Sequence, residues 1–291
     1  MISFKIKEKY VGATLAGSYM GYMTVFWLYP FIWLVVLSLT EWRFVGTPVF
    51  NGLNNFLLVI QDPLFWRSML NVTRFLMYYL PIVFISSMLF AFGLQKLKYG
   101  RAFVGLSFLL ANVSSGVAYS IVFSKIFSQD GPLNIFLQDW FGFTIPWLTS
   151  PDFAMLSIAL VVTWKFVGYY GLILLSGLNS IPKEIYSAAA LDNTGPFNKL
   201  VNITLPLINP QLIMVLVLSI TVSFGIFTEP YLITGGGPLN STTTPMIVMY
   251  EAAFMKMKPS WAATMSIFIA SISFALIWAV RKLLEKKVEI V

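Results

Sequence analysis

The chain carries one polar segment of high specificity, Ile181-Pro-Lys-Glu-Ile-Tyr-Ser-Ala-Ala-Ala-Leu-Asp-Asn-Thr-Gly-Pro196, between two long apolar runs. Pro182 fits the first turn of a helix, and Glu184 favours the positive end of the helix dipole. Asn193 or Gly195 can adopt the left-handed backbone conformation that ends a helix, and the proline that follows prevents its continuation. These residues predict a short helix in a polar loop.

Small residues recur at helical spacing in this segment, where Ala188 and Ala189 lie between Ile185 and Leu191 or Asp192. A face of small residues suits close docking of a partner. An amphipathic helix that lies on the lipid headgroups explains the periodicity equally well. The spacing alone leaves both interpretations open.

The composition indicates a polytopic membrane protein, because 58% of the residues are hydrophobic, 11% are charged and the mean hydropathy is +0.79. A bilayer core takes about 20 apolar residues per helix. Six windows of that kind predict one transmembrane domain over residues 1–291, with the polar loop at 179–206. The windows cover about 16–40, 72–94, 103–127, 153–178, 207–233 and 261–280.

The distribution of Lys and Arg predicts the orientation, because cytoplasmic loops of membrane proteins carry the excess of these residues. With both termini in the cytoplasm, the external segments and their edges hold only a minority of the basic residues. They are Arg43, Arg67, Arg74, Lys125, Lys256 and Lys258. The net charge of +7 is then explained by contacts with anionic lipid, and no basic stripe suggests a nucleic acid partner.

The chain contains no Cys and no His, which excludes thiol nucleophiles, disulfides, imidazole bases and the commonest zinc ligands. The sequence has neither a paired-acid cluster nor a glycine-rich phosphate loop of the Walker type. We therefore predict no catalytic, metal or cofactor site in this chain. If the protein uses ATP, another subunit binds it.

The polar loop resembles the cytoplasmic EAA loop of permeases from binding-protein-dependent ABC importers, with Ile181-Pro-x-x-Ile-Tyr-x-Ala-Ala-x-x-Asp192 followed by Ile203-Thr-Leu-Pro206. Ser187 stands where the family usually has Glu, and Asn193 stands where it has Gly. The resemblance implies that this loop inserts into an ATPase subunit and couples its closure to the membrane helices. The implied coupling residues are Glu184, Ser187, Ala188, Ala189, Leu191, Asp192, Asn193, Thr194 and Gly195.

Two further motifs resemble the first permease of carbohydrate importers, the branch with the maltose, glycerol-phosphate and multiple-sugar systems. One is Tyr231-Leu-Ile-Thr-Gly-Gly-Gly-Pro-Leu-Asn-Ser-Thr-Thr-Thr244, followed by Tyr250-Glu-Ala-Ala-Phe254. The other is Phe50-Asn-Gly-Leu-Asn-Asn-Phe56 with Asp62-Pro-x-Phe-Trp66 and Asn71. The resemblance implies an all-α permease with six transmembrane helices and the type I ABC importer fold, paired with a second homologous permease.

The same resemblance implies a substrate pathway on the fourth span and on the span after the polar loop. Lys165 has two interpretations, because it could snorkel or form an ion pair, or it could attract an anionic sugar. Glu229 could be its partner or could lie at the membrane interface. The implied pathway residues are Lys165, Phe166, Tyr169, Ser219, Val222, Ser223, Ile226 and Glu229.

We therefore predict a permease subunit of an ATP-driven carbohydrate importer that works by alternating access in the cytoplasmic (inner) membrane of a bacterium or archaeon. The resemblance implies an ATPase dimer that binds ATP and Mg, and an extracytoplasmic solute-binding protein that delivers the substrate. One alternative is a membrane-embedded enzyme that acts on lipid-linked sugars, although it would need acidic or histidine clusters. A secondary transporter is another, although it should show internal repeats and buried coupling acids.

Overall fold

The computed structural model describes residues 2–284, with side chains from Val11 onward, and this part of the chain is mainly helical. The N-terminal elements are α1 (Ile2–Met23), a π-helical turn (Thr24–Leu28), α2 (Tyr29–Ser38), β1 (Thr40–Glu41), β2 (Val49–Phe50) and α3 (Asn54–Ile60). The two strands pair antiparallel, with Thr40 opposite Phe50. Asn55 supports this hairpin, because its Nδ2 donates to the carbonyls of Ser38 and Thr40 at 3.0 and 2.8 Å.

The remaining elements begin with the long helix α4 (Pro63–Lys96). They continue with α5 (Arg101–Val113), α6 (Gly116–Ile126), α7 (Pro132–Phe141), α8 (Pro151–Ser180), α9 (Lys183–Leu191) and α10 (Pro196–Lys199). A π-helical turn (Leu200–Thr204) leads to α11 (Leu205–Leu207) and α12 (Asn209–Gly225). Further π-helical turns (Pro230–Thr234 and Glu251–Met255) flank α13 (Pro245–Tyr250), and α14 (Pro259–Leu284) is the last described helix.

Four helical segments of the described chain are long and apolar enough to cross a membrane: Val11–Ser38, Pro63–Lys96, Pro151–Ser180 and Pro259–Leu284. Two bent pairs complete the set of six if each pair is one span. Arg101–Val113 with Gly116–Ile126 bends by 97°, and Pro196–Leu207 with Asn209–Gly225 bends by 73°. The order of these six segments matches the six windows of the sequence.

Two of the predicted spans are thus not straight helices. The window 103–127 is interrupted at Ser115, whose backbone is extended at φ −60° and ψ 127°. The window 207–233 is interrupted at Ile208, just before Pro210, which has no N–H to continue the helical hydrogen bonds. Its helix α12 ends at Gly225, because Ile226 is extended with ψ 123°. Hydropathy does not detect these breaks, because each polar residue at the bends lies within an otherwise apolar window.

The contacts divide the chain into two compact units. One holds the residues up to Asp62 together with Met249–Phe268, and the other holds Pro63–Val248 together with the residues from Ile269. The first contains Val11–Ser38, whose most apolar window has no buried residue in this structure. The expectation of one permease domain over residues 1–291 stays a prediction.

Helix α8 is the most buried span of the second unit, with 61% of its apolar window inside the protein. It packs on α4, α5 and α12. Close approach depends on two glycines, because a Cβ on Gly168 would lie 2.7 Å from the backbone of Phe108, and one on Gly171 would lie 2.5 Å from the Phe90 ring. The buried cluster around α8 includes Phe75, Tyr79, Val83, Ile158, Val162, Tyr170 and Leu174.

Two of the sequence motifs contact each other in the second unit. The Asn71 amide donates to the carbonyls of Asn240 and Thr243 at 2.7 and 2.9 Å, and Arg67 donates to the carbonyl of Leu239 at 2.7 Å. Gly236, at φ +81°, has the left-handed backbone conformation that favours glycine in a tight turn. The motif residues therefore build one ordered loop at the start of α4.

The Gly168→Ala substitution should destabilise the protein by about 1–3 kcal/mol, because the added methyl group collides with backbone atoms of Phe108. Gly93→Ala is the matched control, since a Cβ there meets nothing within 4 Å, and it should be neutral or stabilising by up to about 1 kcal/mol. Thermal unfolding of both variants in detergent measures the difference. Equal melting temperatures would contradict the close contact of α5 with α8.

Candidate functional site

A lysine, a tyrosine and a glutamate from three segments form a buried polar cluster. Lys165 on α8 donates from its Nζ to the Tyr119 hydroxyl on α6 at 2.9 Å, and the Tyr119 hydroxyl donates to the carboxylate of Glu229. Lys165 Nζ lies 3.6 Å from Glu229 Oε1. The side chains of Lys165 and Glu229 are 21% and 8% exposed. The three groups form one connected hydrogen-bond and charge network, which we call the Lys165 cluster.

In the Lys165 cluster, the ammonium of Lys165 and the carboxylate of Glu229 pair with each other, so neither charge is isolated within the apolar span. An unpaired charge in that environment is costly, and a neighbouring opposite charge with hydrogen bonds offsets part of the desolvation penalty. The ammonium also lies 5.0 Å from the centre of the Tyr119 ring and 5.5 Å from that of Phe166, where cation–π attraction acts. Lys165 and Glu229 form the ion pair that was one of the predicted alternatives, and the Glu229 side chain is buried within the protein.

Tyr119 is the member of this cluster that sequence reasoning missed. It lies in a span rich in aromatic residues, where a tyrosine resembles an ordinary packing or interface residue. Its hydroxyl is separated from Lys165 by 46 residues and from Glu229 by 110. No local pattern could have indicated these contacts.

The other predicted pathway residues occupy different environments. Phe166 and Tyr169 are half-buried on α8, and the Phe166 ring stacks on Tyr170 with centroids 5.3 Å apart. Ser223 is buried and donates to the carbonyl of Ser219 at 2.7 Å, so its hydroxyl is satisfied within α12. Of the remaining predicted pathway residues, Val222 is half-buried and Ile226 is buried.

Three buried hydroxyl groups lie on α4, α8 and α12. Tyr79, Tyr170 and Ser219 are each fully buried, and none of their hydroxyl oxygens has a hydrogen-bond partner in the described part of the chain. Of these, only Ser219 was expected from the sequence. Tyr79 and Tyr170 look like packing aromatics in the sequence, because their positions fit the apolar faces of their helices. The structure thus adds polar groups to the interior beside the predicted pathway.

The polar loop contains the predicted helix as α9, and Asn193 ends it. Thr194 N donates to the carbonyl of Ala189 at 3.0 Å, and Asn193 N donates to that of Ala190 at 3.2 Å, which is a Schellman motif. Asn193 has φ +52°, whereas Gly195 has φ −66°. Asparagine tolerates this left-handed conformation better than most residues, so the helix ends although the usual glycine is absent.

The two faces of α9 differ strongly in exposure. Ala189 is 6% exposed and faces its own chain, and the Tyr186 hydroxyl lies 3.0 Å from Thr204 Oγ1. Leu191 is 88% exposed. The small-residue face predicted from spacing is therefore divided, because Ala189 packs inward while Ala188 stays outside. The other exposed members of the predicted coupling set are Glu184, Ser187, Asp192, Asn193 and Gly195, and Thr194 is half-buried.

Comparison with known proteins defines the class. The profile of the family described as binding-protein-dependent transport system inner membrane component matches residues 6–290. The chain belongs to this family of transport permeases, which confirms the predicted resemblance. It is 34% identical over 271 residues to the lactose transport system permease protein LacF of Rhizobium radiobacter, covering 89% of this chain and 90% of the relative.

A second relative and a solved structure agree with this assignment. The multiple sugar-binding transport system permease protein MsmF of Streptococcus mutans is 28% identical over 297 residues, 98% of this chain and 99% of its own length. A crystal structure of a bacterial ABC transporter involved in the import of the acidic polysaccharide alginate contains a chain with a TM-score of 0.81 at 19% identity, covering 98% of both chains. The similarity confirms the predicted all-α fold of a type I ABC importer permease.

The Tyr119→Phe substitution should destabilise the protein by about 1–3 kcal/mol, because Glu229 loses a buried donor and Lys165 loses an acceptor. Tyr78→Phe is a matched control on α4, since Tyr78 is 38% exposed and lies outside the Lys165 cluster. Chemical or thermal unfolding in detergent provides the measurement. A loss of the same size in both variants would show that the Tyr119 hydroxyl contributes nothing specific.

Proposed function

We propose that this chain is the membrane permease subunit of an ATP-driven importer that translocates a carbohydrate, in particular an oligosaccharide, by alternating access. The observation that carries the proposal is the exposed face of α9, a short helix with a well-defined C-terminal cap. Family membership places the chain in a binding-protein-dependent system. The sugar specificity is inferred from the transport systems of the two named relatives, LacF and MsmF.

The partners follow from the same proposal. An ATPase dimer binds ATP and Mg and closes on the exposed face of α9, so this chain needs no catalytic site of its own. A second homologous permease completes the pathway and covers part of Val11–Ser38, whose apolar window is unburied in this structure. An extracytoplasmic binding protein delivers the sugar. Both termini are cytoplasmic, as the Lys and Arg distribution predicts.

The coupling function is assigned to the exposed side of α9 and to its C-terminal turn. Leu191 is the strongest candidate for direct contact, because an apolar side chain that is 88% exposed in a polar loop gains from burial against a partner. Tyr186 holds the opposite side of α9 against Thr204. A push on α9 is thereby transmitted to the segment that leads into α12. The proposed coupling residues are those predicted from the sequence, with Ala189 in a packing role.

The substrate pathway is assigned to the region around the Lys165 cluster and the buried hydroxyls. Aromatic faces and a few directed polar groups are the features that bind sugars. A second candidate function is import of an acidic oligosaccharide. It is favoured by Lys165, whose side chain is 21% exposed and whose ammonium has donor capacity beyond its bond to Tyr119. A substrate carboxylate would then compete with Glu229 for Lys165.

The Leu191→Asp substitution should abolish substrate-stimulated ATP hydrolysis while leaving membrane insertion intact, because the exposed side chain contributes little to folding. ATPase activity of the purified complex in liposomes is the measurement. Leu97→Asp, at a 41% exposed leucine outside the loop, is the matched control and should keep stimulation. Normal stimulation of the Leu191 variant would exclude α9 as the coupling contact. Ala189→Arg is less informative, since it would disrupt internal packing.

The charge of the substrate is tested by Lys165→Met together with Glu229→Gln. For an acidic oligosaccharide, Lys165→Met should lower transport about tenfold or more, because a charge-assisted hydrogen bond is lost. Glu229→Gln removes the competing anion and should keep transport. Uptake of labelled oligosaccharide is measured beside ATP hydrolysis without binding protein, with the exposed Lys125→Met as control. Equal loss of uptake and basal hydrolysis in the Lys165 variant would point to a structural role alone.

A further inference from the structure

The first compact unit contains a polar pocket of about 240 Å³ between the β1 segment, α3 and the start of α14. A cavity of this size holds roughly eight waters, or a compact charged group with part of its hydration shell. Its lining includes Arg43, Asn51, Asn54, Lys258, Ser260 and Trp261. None of these residues belongs to the predicted pathway or to the coupling loop.

Two residues that line this pocket carry buried donors without a partner in the described part of the chain. Ser260 is 4% exposed, and its Oγ has no hydrogen-bond partner within the described part of the chain. The indole Nε1 of Trp261 is also buried, and it too has no hydrogen-bond partner among the described residues. Buried polar atoms in native proteins nearly always have a partner, so these two donors indicate a ligand or ordered water. Both side chains lie in the first turn of α14, where backbone N–H groups and the helix dipole favour an anion.

The charges around the pocket favour an anion as well. Lys258 lines the pocket, and the ammonium groups of Lys256 and Lys258 lie 5.7 and 5.4 Å from the centre of the Trp261 ring. Arg43 also lines it and pairs with Glu41 at 3.4 Å, in an exposed ion pair. The pocket lining thus holds two cationic side chains, Lys258 and Arg43, and one carboxylate, Glu41. A ligand with oxygen acceptors and negative charge would match the donors and the charge together.

The position of the pocket along the spans identifies the source of such a ligand. The apolar helix α2 ends at Ser38, and the apolar helix α14 begins at Pro259. The residues between these two helix ends therefore lie at the level of the lipid headgroups, where tryptophan and basic side chains concentrate. Exposed apolar side chains are present on α2, with Val35 and Val36, and in the pocket lining, with Leu58.

We propose that this pocket binds the phosphodiester headgroup of an anionic phospholipid. Lys258 and Arg43 contact the phosphate oxygens, the Ser260 hydroxyl and the Trp261 indole N–H donate to them, and the acyl chains lie along the exposed face of α2. The amides of Asn51 and Asn54 supply further donors and acceptors for a hydroxylated headgroup such as glycerol. The site is independent of the sugar pathway and of the ATPase contact.

Native mass spectrometry of the full-length chain, purified with the subunits that accompany it, tests the proposal. The detergent complex is titrated with phosphatidylglycerol or with phosphatidylcholine. The wild type should retain phosphatidylglycerol preferentially, and Lys258→Met and Ser260→Ala should each weaken its retention by about tenfold, the loss expected for a buried charge-assisted hydrogen bond. Lys125→Met, an exposed lysine outside the pocket, should leave retention unchanged.

Other results would overturn the lipid assignment. Equal retention of both lipids by the wild type would show that no anionic headgroup site exists, and this outcome requires no variant to fold. If the protein retains soluble glycerol phosphate in the same titration as well as it retains phosphatidylglycerol, the ligand is a soluble phosphate compound. Loss of binding-protein association in both pocket variants, with lipid retention unchanged, would assign the pocket to an acidic surface of that partner.

Discussion

The structure depends on the requirement that charges and polar groups within a bilayer find partners inside the protein. Helix α8 shows how this is met. Its one lysine, Lys165, is directed to the carboxylate of Glu229 and the hydroxyl of Tyr119, and its glycines allow α4 and α5 to pack closely around it. Helix α8 is closely packed, and its charged residue is held in an ion pair, so it is a rigid element. The neighbouring spans are positioned by their contacts with it.

This rigidity relates the two candidate functional regions to each other. Lys165 lies 15 residues before the end of α8 at Ser180, a helical length of about 22 Å. The helix α9 begins only three residues later, and Tyr186 connects α9 to Thr204 in the segment before α12. A displacement of α9 therefore acts on two helices that line the proposed pathway. The bend between α11 and α12 supplies a point at which such a movement can be absorbed.

If the proposed pathway runs past the Lys165 cluster, the cluster also shapes how substrate charge can be recognised. A lysine alone would present a positive charge to any sugar in the pathway, whereas the pair with Glu229 is neutral overall. Neutral sugars can use the donors and acceptors of such a pair without a large desolvation penalty. An acidic sugar must displace the Glu229 carboxylate from Lys165. Neutral and acidic sugars would therefore bind to the cluster by different mechanisms.

Sequence alone determined the membrane character, the order of the six apolar segments and the position of helix α9, with its end near Asn193 or Gly195. These features are local, because hydropathy, helix caps and left-handed turns are encoded by residues within one or two turns of each other. Tertiary structure decided that Tyr119, Lys165 and Glu229 meet, that Ala189 faces inward, that two spans bend, and that Ser260 and Trp261 line one pocket with Arg43. Such contacts join residues far apart in the chain, and they form only when helix packing brings those residues together.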